Sequence, residues 1–438
     1  MRAVVVALGK IGLPVAVKVA LAGHQVVGCD ADVRVVELVN EAREPFPGEP
    51  GLAEALERLV PSGTLRATTD TAAAVAEGPS LVIIVPPLVV DSEAHPDFRV
   101  LDAVLTDIGR GLRPGTVVSV ETTLPVGTTR ARIAPLLEQH SGLRAEEDFF
   151  SVHSPERVYS GRVFSDLDAY PKLVGGLTSE GEHRAVELYR SFLQAEVWGM
   201  GSAEAAELAK LAETTYRDVN IALANEFARF ADRIGVDVHK VIDASNSQPF
   251  SHIHRPGVAV GGHCIPVYPR FYLHGDPEAT LPVAARAVNE AMPAYAVSLL
   301  ARYVPLNEAR VLILGVSYRG AVKETAFSGA FALRDELRRR GATPVAADPL
   351  YTDDELRALG FSVWDGGPVE GAIVQTDHPQ YRTLTPTDLP GVQAVVDGRA
   401  TVRKGPWISA GIPLAPIGQP VPDAVAEIAH TIHMPECV

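Results

Sequence analysis

Two periodicities divide this chain. Over residues 1–195 short apolar runs alternate with segments whose apolar positions recur every three or four residues, a pattern that predicts a parallel sheet flanked by helices. Runs at 3–8, 25–29, 81–85, 117–120 and 149–152 read as strands. Residues 202–235 hold no Pro or Gly before the closing Gly235, and Leu208, Leu211, Thr215, Val219, Ala222, Phe227 and Phe230 recur at near-helical steps. The spacing predicts one helix roughly 50 Å long. Its apolar stripe should bridge two domains and offer a surface to a second copy of the chain. After Pro305 the alternation restarts: strands at 310–314, 344–347, 372–375 and 394–396, and a helix over 326–340.

Composition narrows the class without changing that picture. The 438 residues carry 47% apolar and 21% charged side chains, too long for one core and ordinary for a globular enzyme. A net charge of −15 argues against a nucleic-acid or anionic-membrane surface. Any phosphate-bearing ligand must therefore be held by local Arg, Lys and helix N-termini. Three cysteines (Cys29, Cys264, Cys437) are too few for a disulfide framework and fit a reducing compartment. The longest apolar run, 81–90, is too short to span a bilayer, and residues 3–8 read as a strand rather than a signal peptide. A cytoplasmic protein is expected.

Candidate chemistry gathers at three places. The first is the turn after the opening strand, Gly9-Lys10-Ile11-Gly12, followed by a helix and a second strand ending at Asp30. This is the layout in which a helix N-terminus takes a pyrophosphate and an acid takes the ribose hydroxyls. Asp30 would repel a 2′-phosphate, so NAD is favoured over NADP. The motif departs from G-x-G-x-x-G at its first place, Ala7, which fits only if that residue needs no positive φ. The second place is the set of turns that end later strands: Pro86, Thr123 and Glu156, all where ligands sit in open α/β sheets, although Thr and Glu also serve there as helix caps. The third is Cys264, behind Gly261-Gly262 and ahead of Pro266. A stiff, open loop suits a nucleophile, whereas an unpaired structural Cys is as a rule buried. Lys210 lies on the long helix with Thr214, Arg217 and Ile221, between Ala209 and Leu211, and reads either as a partly desolvated lysine or as a solvated one. The expected fold class is α/β, with two doubly wound Rossmann-like domains joined by a long central helix: residues 1–195 for NAD, 196–305 for the helix and Cys loop, and 306–438 for a second doubly wound domain.

These residues resemble the NAD-dependent nucleotide-sugar 6-dehydrogenases, which include UDP-glucose, UDP-N-acetylmannosamine, UDP-N-acetylglucosamine and GDP-mannose dehydrogenases. Gly9 to Pro14 is similar to the family's G-x-I-G-L-P. Glu121-Thr122-Thr123-Leu124-Pro125-Val126-Gly127-Thr128 is similar to E-S-T-V-P-V-G-T, Ser154-Pro155-Glu156-Arg157-Val158 to S/A-P-E-R-V, and Glu207 to Leu211 to E-x-x-K-L. Gly261-Gly262-His263-Cys264-Ile265-Pro266-Val267 resembles the UDP-N-acetylhexosamine branch. The resemblance implies a four-electron oxidation at carbon 6 with two NAD per sugar, supplying uronic acids for polysaccharide biosynthesis. It implies Cys264 as nucleophile, Lys210 as oxyanion partner or proton relay, and Glu156 and Thr123 as holders of the water. Gly9, Lys10, Ile11, Gly12, Asp30, Pro86 and Thr123 would face the cofactor. Glu156, Arg157, Lys210, Arg255, Gly261 and Lys323 would face the sugar nucleotide. No metal is implied, and a homodimer through 202–235 is expected.

Three positions depart from the family pattern. Tyr268 stands where the family has Asp, four residues after the Cys. Thr214 stands where it has Asn, four after the Lys, and Lys323-Glu324-Thr325 stands for R-E-S. A phenol with a pKa near 10 is a poor base at neutral pH. Three readings therefore stay open: a complete four-electron dehydrogenase, a two-electron enzyme that stops at the aldehyde or thioester, and a non-catalytic nucleotide-sugar binder. The base (UDP or dTDP) and the sugar (glucose or an N-acetylhexosamine) are also open.

Overall fold

In the computed structural model the opening strands lie within two residues of their predicted bounds. The structure describes residues 1–91 and 93–421; Cys437 and the rest of the proline-spaced tail lie outside the described residues. Strands β1 (Arg2–Val6), β2 (Gln25–Cys29), β3 (Leu65–Thr68), β4 (Leu81–Ile84), β5 (Val117–Val120), β6 (Phe150–His153), β7 (Lys172–Gly176) and β8 (Val197–Gly199) make one eight-stranded sheet, ordered β8-β7-β6-β5-β4-β1-β2-β3. The order reverses between β1 and β4, and open α/β sheets bind ligands beyond the strand ends at such a reversal. Helix α1 (Gly12–Leu21) packs Leu13, Val15, Ala16 and Val17 into the core over β1. Each buried Leu or Val among them contributes about 1.5–3 kcal/mol.

The expectation of a wholly parallel sheet needs correcting at one edge. β6 and β7 run antiparallel, with Val152 opposite Gly176 and His153 opposite Gly175. Only a short helix, Val163–Ala169, lies between them, and an antiparallel neighbour needs no crossover helix. Helix α2 (Ser179–Arg190) then returns the chain so that β8 lies parallel to β7.

The long helix α3 (Ala203–Ile234) has the predicted extent, but its predicted stripe is not its buried face. Leu208, Phe227 and Phe230 are exposed, whereas Leu211 and Ala222 are buried. The inward residues are small or polar: Ala206, Glu207, Lys210, Thr214, Asp218, Ala224, Asn225, Ala228 and Ala231. Hydrophobicity missed this face because its polar members have partners. On helix α4 (Thr280–Leu300), Arg286 pairs with Asp218 at 2.9 Å, and Asn289 bonds Asp218 at 2.8 Å and Asn225 at 2.9 Å. Buried polar groups persist when they are satisfied in this way.

Strands β9 (Arg310–Leu314), β10 (Thr343–Ala347), β11 (Gly371–Val374), β12 (Ala394–Asp397) and β13 (Leu414–Pro416) form a second, all-parallel sheet, ordered β10-β9-β11-β12-β13. Helix α5 (Gly329–Arg339) leads from β9 to β10. The chain groups into two compact units, Met1–Glu213 with Arg270–Pro277, and Thr214–Pro269 with Glu278–Val438. Helix α3 thus begins in one unit and ends in the other. Among the described residues no helix is long and apolar enough to cross a membrane.

Candidate active site

The turn after β1 shows why it tolerates its odd first residue, and corrects the expectation for it. Ala7 has φ +76°, the left-handed region that costs a non-glycine residue roughly 1–2 kcal/mol. The surroundings hold it there: Ala7 N donates to Cys29 O at 2.8 Å. Its carbonyl oxygen would lie 1.9 Å from a Cβ on Gly12, so Gly12 is the glycine that the turn requires. A Cβ on Gly9 would meet nothing within 4 Å, which leaves open space at the N-terminus of α1, where a pyrophosphate fits. Asp30 accepts from Leu8 N at 2.7 Å and Asp32 N at 2.9 Å. Its two carboxylate oxygens retain acceptor capacity beyond one bond each. Lys10 is exposed, Ile11 is half-buried, and Pro86, buried at the end of β4 beside this turn, accepts from Thr122 Oγ1 at 2.6 Å. These residues fit a dinucleotide.

Beyond β5 and β6 lies a cluster of which the sequence showed only part. Thr123 is buried. Glu156 Oε2 receives Lys172 Nζ at 2.7 Å and its Oε1 receives Arg157 N at 2.7 Å. The same ammonium lies 3.1 Å from Glu121 Oε1. Tyr189 donates to that oxygen at 2.5 Å and meets Ser119 Oγ at 2.8 Å. Burial pushes the Glu121 carboxyl up to about 7, against the pull of Lys172. Burial also opposes ionisation of Glu156, but the charge and hydrogen bond of Lys172 win and hold it below the usual carboxylate range. Burial works against the charge of Lys172 too, and the two carboxylates overcome it and hold the ammonium above the ordinary lysine range. Lys172 and Tyr189 were not foreseen. The one available signal was a lysine opening the otherwise apolar run of β7.

On α3 both Lys210 and Thr214 are buried, while Arg217 and Ile221 are half-buried, so the solvated reading of Lys210 does not hold. One turn earlier, Glu207 accepts from Gly127 N, Thr129 N and Thr129 Oγ1 at 2.5, 2.8 and 2.6 Å. It thereby ties the loop that carries Thr123 to the helix that carries Lys210. Arg157 donates to Pro171 O and lies 4.0 Å from Glu213.

The second unit carries the cysteine loop. Cys264 is exposed, unlike Cys29, whose thiol burial pushes up to about 12. The glycines before Cys264 serve the loop's own packing. A Cβ on Gly261 would lie 2.6 Å from Tyr318 Cβ, and Gly262 has φ +92° and could place a Cβ only 3.0 Å from the Tyr318 ring. Gly262 N donates to Ala326 O, and Tyr268 N and Val267 N both donate to Cys264 O. Tyr268 opens the helix Tyr268–Gly275 and is half-buried. His263 lies 3.6 Å from Glu324. Of the expected substrate cations, Arg255 pairs with Asp243 and donates to His239 O, while Lys323 pairs with Glu355 at 2.5 Å.

Comparison with known proteins agrees with this geometry. Residues 1–193 match the NAD-binding domain of the UDP-glucose/GDP-mannose dehydrogenase family, and residues 204–292 match its central domain. A UDP-N-acetyl-D-mannosamine dehydrogenase of Pyrococcus horikoshii is 34% identical over 421 residues, covering 93% of this chain and 97% of that protein. A solved structure of UDP-D-ManNAc dehydrogenase from the same organism aligns with TM-score 0.86 at 32% identity, covering 96% of this chain and 99% of that one. An NDP-N-acetyl-D-galactosaminuronic acid dehydrogenase of Ralstonia solanacearum is 32% identical over 408 residues, covering 90% and 95%.

Proposed function

Because the chain belongs to the UDP-glucose/GDP-mannose dehydrogenase family, we propose that it oxidises carbon 6 of a UDP-N-acetylhexosamine to the carboxylate through a cysteine thioester. The observation that carries this reading is the exposed Cys264 on its braced loop, whose G-G-H-C-I-P-V sequence resembles that of the N-acetylhexosamine branch. One similar protein has N-acetyl-D-mannosamine in its name and another N-acetyl-D-galactosaminuronic acid, which supports an N-acetylated hexosamine skeleton. NAD, when bound, supplies the hydride acceptor. Gly9, Lys10, Ile11, Gly12, Asp30, Pro86 and Thr123 would hold it.

The remaining chemistry falls to the chain. Lys210, buried on α3, stabilises the oxyanion at carbon 6 and takes part in moving its proton. Cys264 gives its sulfur to the aldehyde carbon and recovers it when water attacks the thioester. Glu156, held ionised beside Lys172, takes the proton of that water. Thr123 and Thr214 orient oxygen atoms, and Arg157, Arg255, Gly261 and Lys323 contact the sugar nucleotide. A homodimer through α3 completes the reading.

Tyr268 favours one alternative, a two-electron enzyme, since a phenol replaces the carboxylate expected near the hydrolytic water. NADH counted per sugar over a panel of nucleotide sugars separates the two. About two NADH, with UDP-N-acetylhexosamines turned over fastest, supports the proposal. About one supports early arrest, and Tyr268→Asp should then raise the yield toward two. No NADH from any sugar defeats both readings.

A further inference from the structure

Glu156 does not stand alone in the first unit: its carboxylate is one end of a hydrogen-bonded chain that runs inward to a second carboxyl. Lys172 Nζ bridges Glu156 Oε2 at 2.7 Å and Glu121 Oε1 at 3.1 Å, and only about 5% of the Lys172 side chain is exposed. Glu156 N donates to Glu121 O at 3.2 Å, so the two loops that carry these acids are joined through the backbone as well. Glu156 and Lys172 line a pocket together with Pro155, Arg157, Tyr170 and Pro171 among others, and Glu121 is not part of its lining. The Glu121 end is sealed by Tyr189, whose ring also lies 5.3 Å from the ammonium. Glu121 Oε2 is buried with no hydrogen-bond partner, which disfavours a full charge on it.

We propose that Lys172 is a positioning residue that keeps Glu156 ionised as the hydrolytic base, and that Glu121 is where the proton taken from water comes to rest. This rests on the functional reading given above. The step balances: the water O–H bond breaks and its proton joins Glu156 Oε2. Lys172 passes one ammonium proton to Glu121 Oε1 and regains one from Glu156. At the end Glu156 is an anion, Lys172 a cation and Glu121 a neutral acid. Two carboxylates around one ammonium leave an unbalanced negative charge in a buried site, and protonating Glu121 removes it. The other titratable groups around the cluster do not compete for that proton. Tyr189 donates its own to Glu121, and His153 is fully buried and kept neutral by burial and by Lys172. Arg157 faces Pro171 O and Glu213, while Asp166 is engaged by Arg162 at 2.7 Å.

The test is the pH profile of kcat, measured on the full chain with the best nucleotide sugar, together with infrared detection of a protonated carboxyl. Lys172→Met should lower kcat at pH 7 by about 100-fold, within the range for losing a tuned acid–base group. It should also move the acid limb up by more than one pH unit with KM little changed. Lys172→Arg, which keeps a cation, should leave that limb in place. Wild type near pH 6 should show a buried protonated carboxyl that Glu121→Gln removes. A uniform loss of kcat in Lys172→Met at every pH, with the limb unmoved, overturns the proposal. So does the absence of a Glu121-dependent carboxyl band, and that readout needs no turnover. If Lys172→Met does not fold, a limb that stays in place in Glu121→Gln overturns the proposal and a displaced one supports it. A chain that oxidises no nucleotide sugar defeats the functional reading, while the infrared titration still decides where the proton sits.

Discussion

At the scale of single residues the two described cysteines make the sharpest contrast. Cys29 closes β2 with no exposure, and its thiol is pushed up to about 12, chiefly by burial, with Asp70 and Asp30 adding to it. Cys264 is exposed on a loop tied down by main-chain bonds. Alkylation follows the exposed thiolate, so brief treatment of native protein with iodoacetamide should label Cys264 and spare Cys29, as read by peptide mass. Activity should fall in step with that label. Cys264→Ser should abolish uronate formation while leaving NAD binding intact, because an oxygen ester neither forms nor breaks as readily at this step. Full uronate production by Cys264→Ala would end the thioester mechanism.

At the scale of elements α3 asks for an explanation. Tyr216, Leu223, Phe227, Phe230 and Ile234 are all exposed, from 38% for Phe227 to 54% for Ile234. Their spacing by seven, four, three and four residues puts them on one face. A row of large apolar side chains exceeds the scattered exposure normal for a monomer. A second copy of this chain covers it in our reading. Sedimentation at micromolar concentration should then give a dimer, and Phe230→Glu with Phe227→Glu should give a monomer of unchanged helix content. A monomeric wild type would remove α3 as an assembly surface.

At the scale of the whole molecule the buried ionisable groups shape stability against pH. Glu121 has a folded value of about 7 against an ordinary 4.5, so between those values the folded chain keeps a proton that the unfolded chain has lost. Its contribution is complete below about 4.5 and declines as pH rises through 7, by at most about 1.4 kcal/mol per pH unit. His153 works the other way. Burial lowers it from 6.5 to about 3, so the unfolded chain binds the extra proton and stability falls as pH drops from 6.5 toward 3. Wild type should therefore show a shallow profile over pH 4.5–6.5, because the two oppose each other. Glu121→Gln separates them: its melting temperature relative to wild type should rise as pH goes from 4.5 to 7. A constant difference across that range would mean that Glu121 is ionised throughout.

Strands β1, β2, β4 to β6 and β9 to β12, the glycine turn ending at Asp30, the extent of the long helix and the cysteine loop could be read from the sequence, whereas β3, β7, β8 and β13 could not. Each legible feature depends on short-range rules: apolar period, turn stereochemistry and spacing within one βα unit. What the sequence could not supply depends on residues far apart along the chain. Lys172 meets Glu121 and Glu156 only because β7 lies antiparallel to β6. The buried face of α3 is polar because Arg286 and Asn289 reach it from another helix. Ala7 can hold a positive φ because Gly12 makes room for its carbonyl. Local pattern determined which elements form. Tertiary packing decided which polar groups could be buried, because only a partner brought in from elsewhere in the chain offsets the cost of taking them out of water.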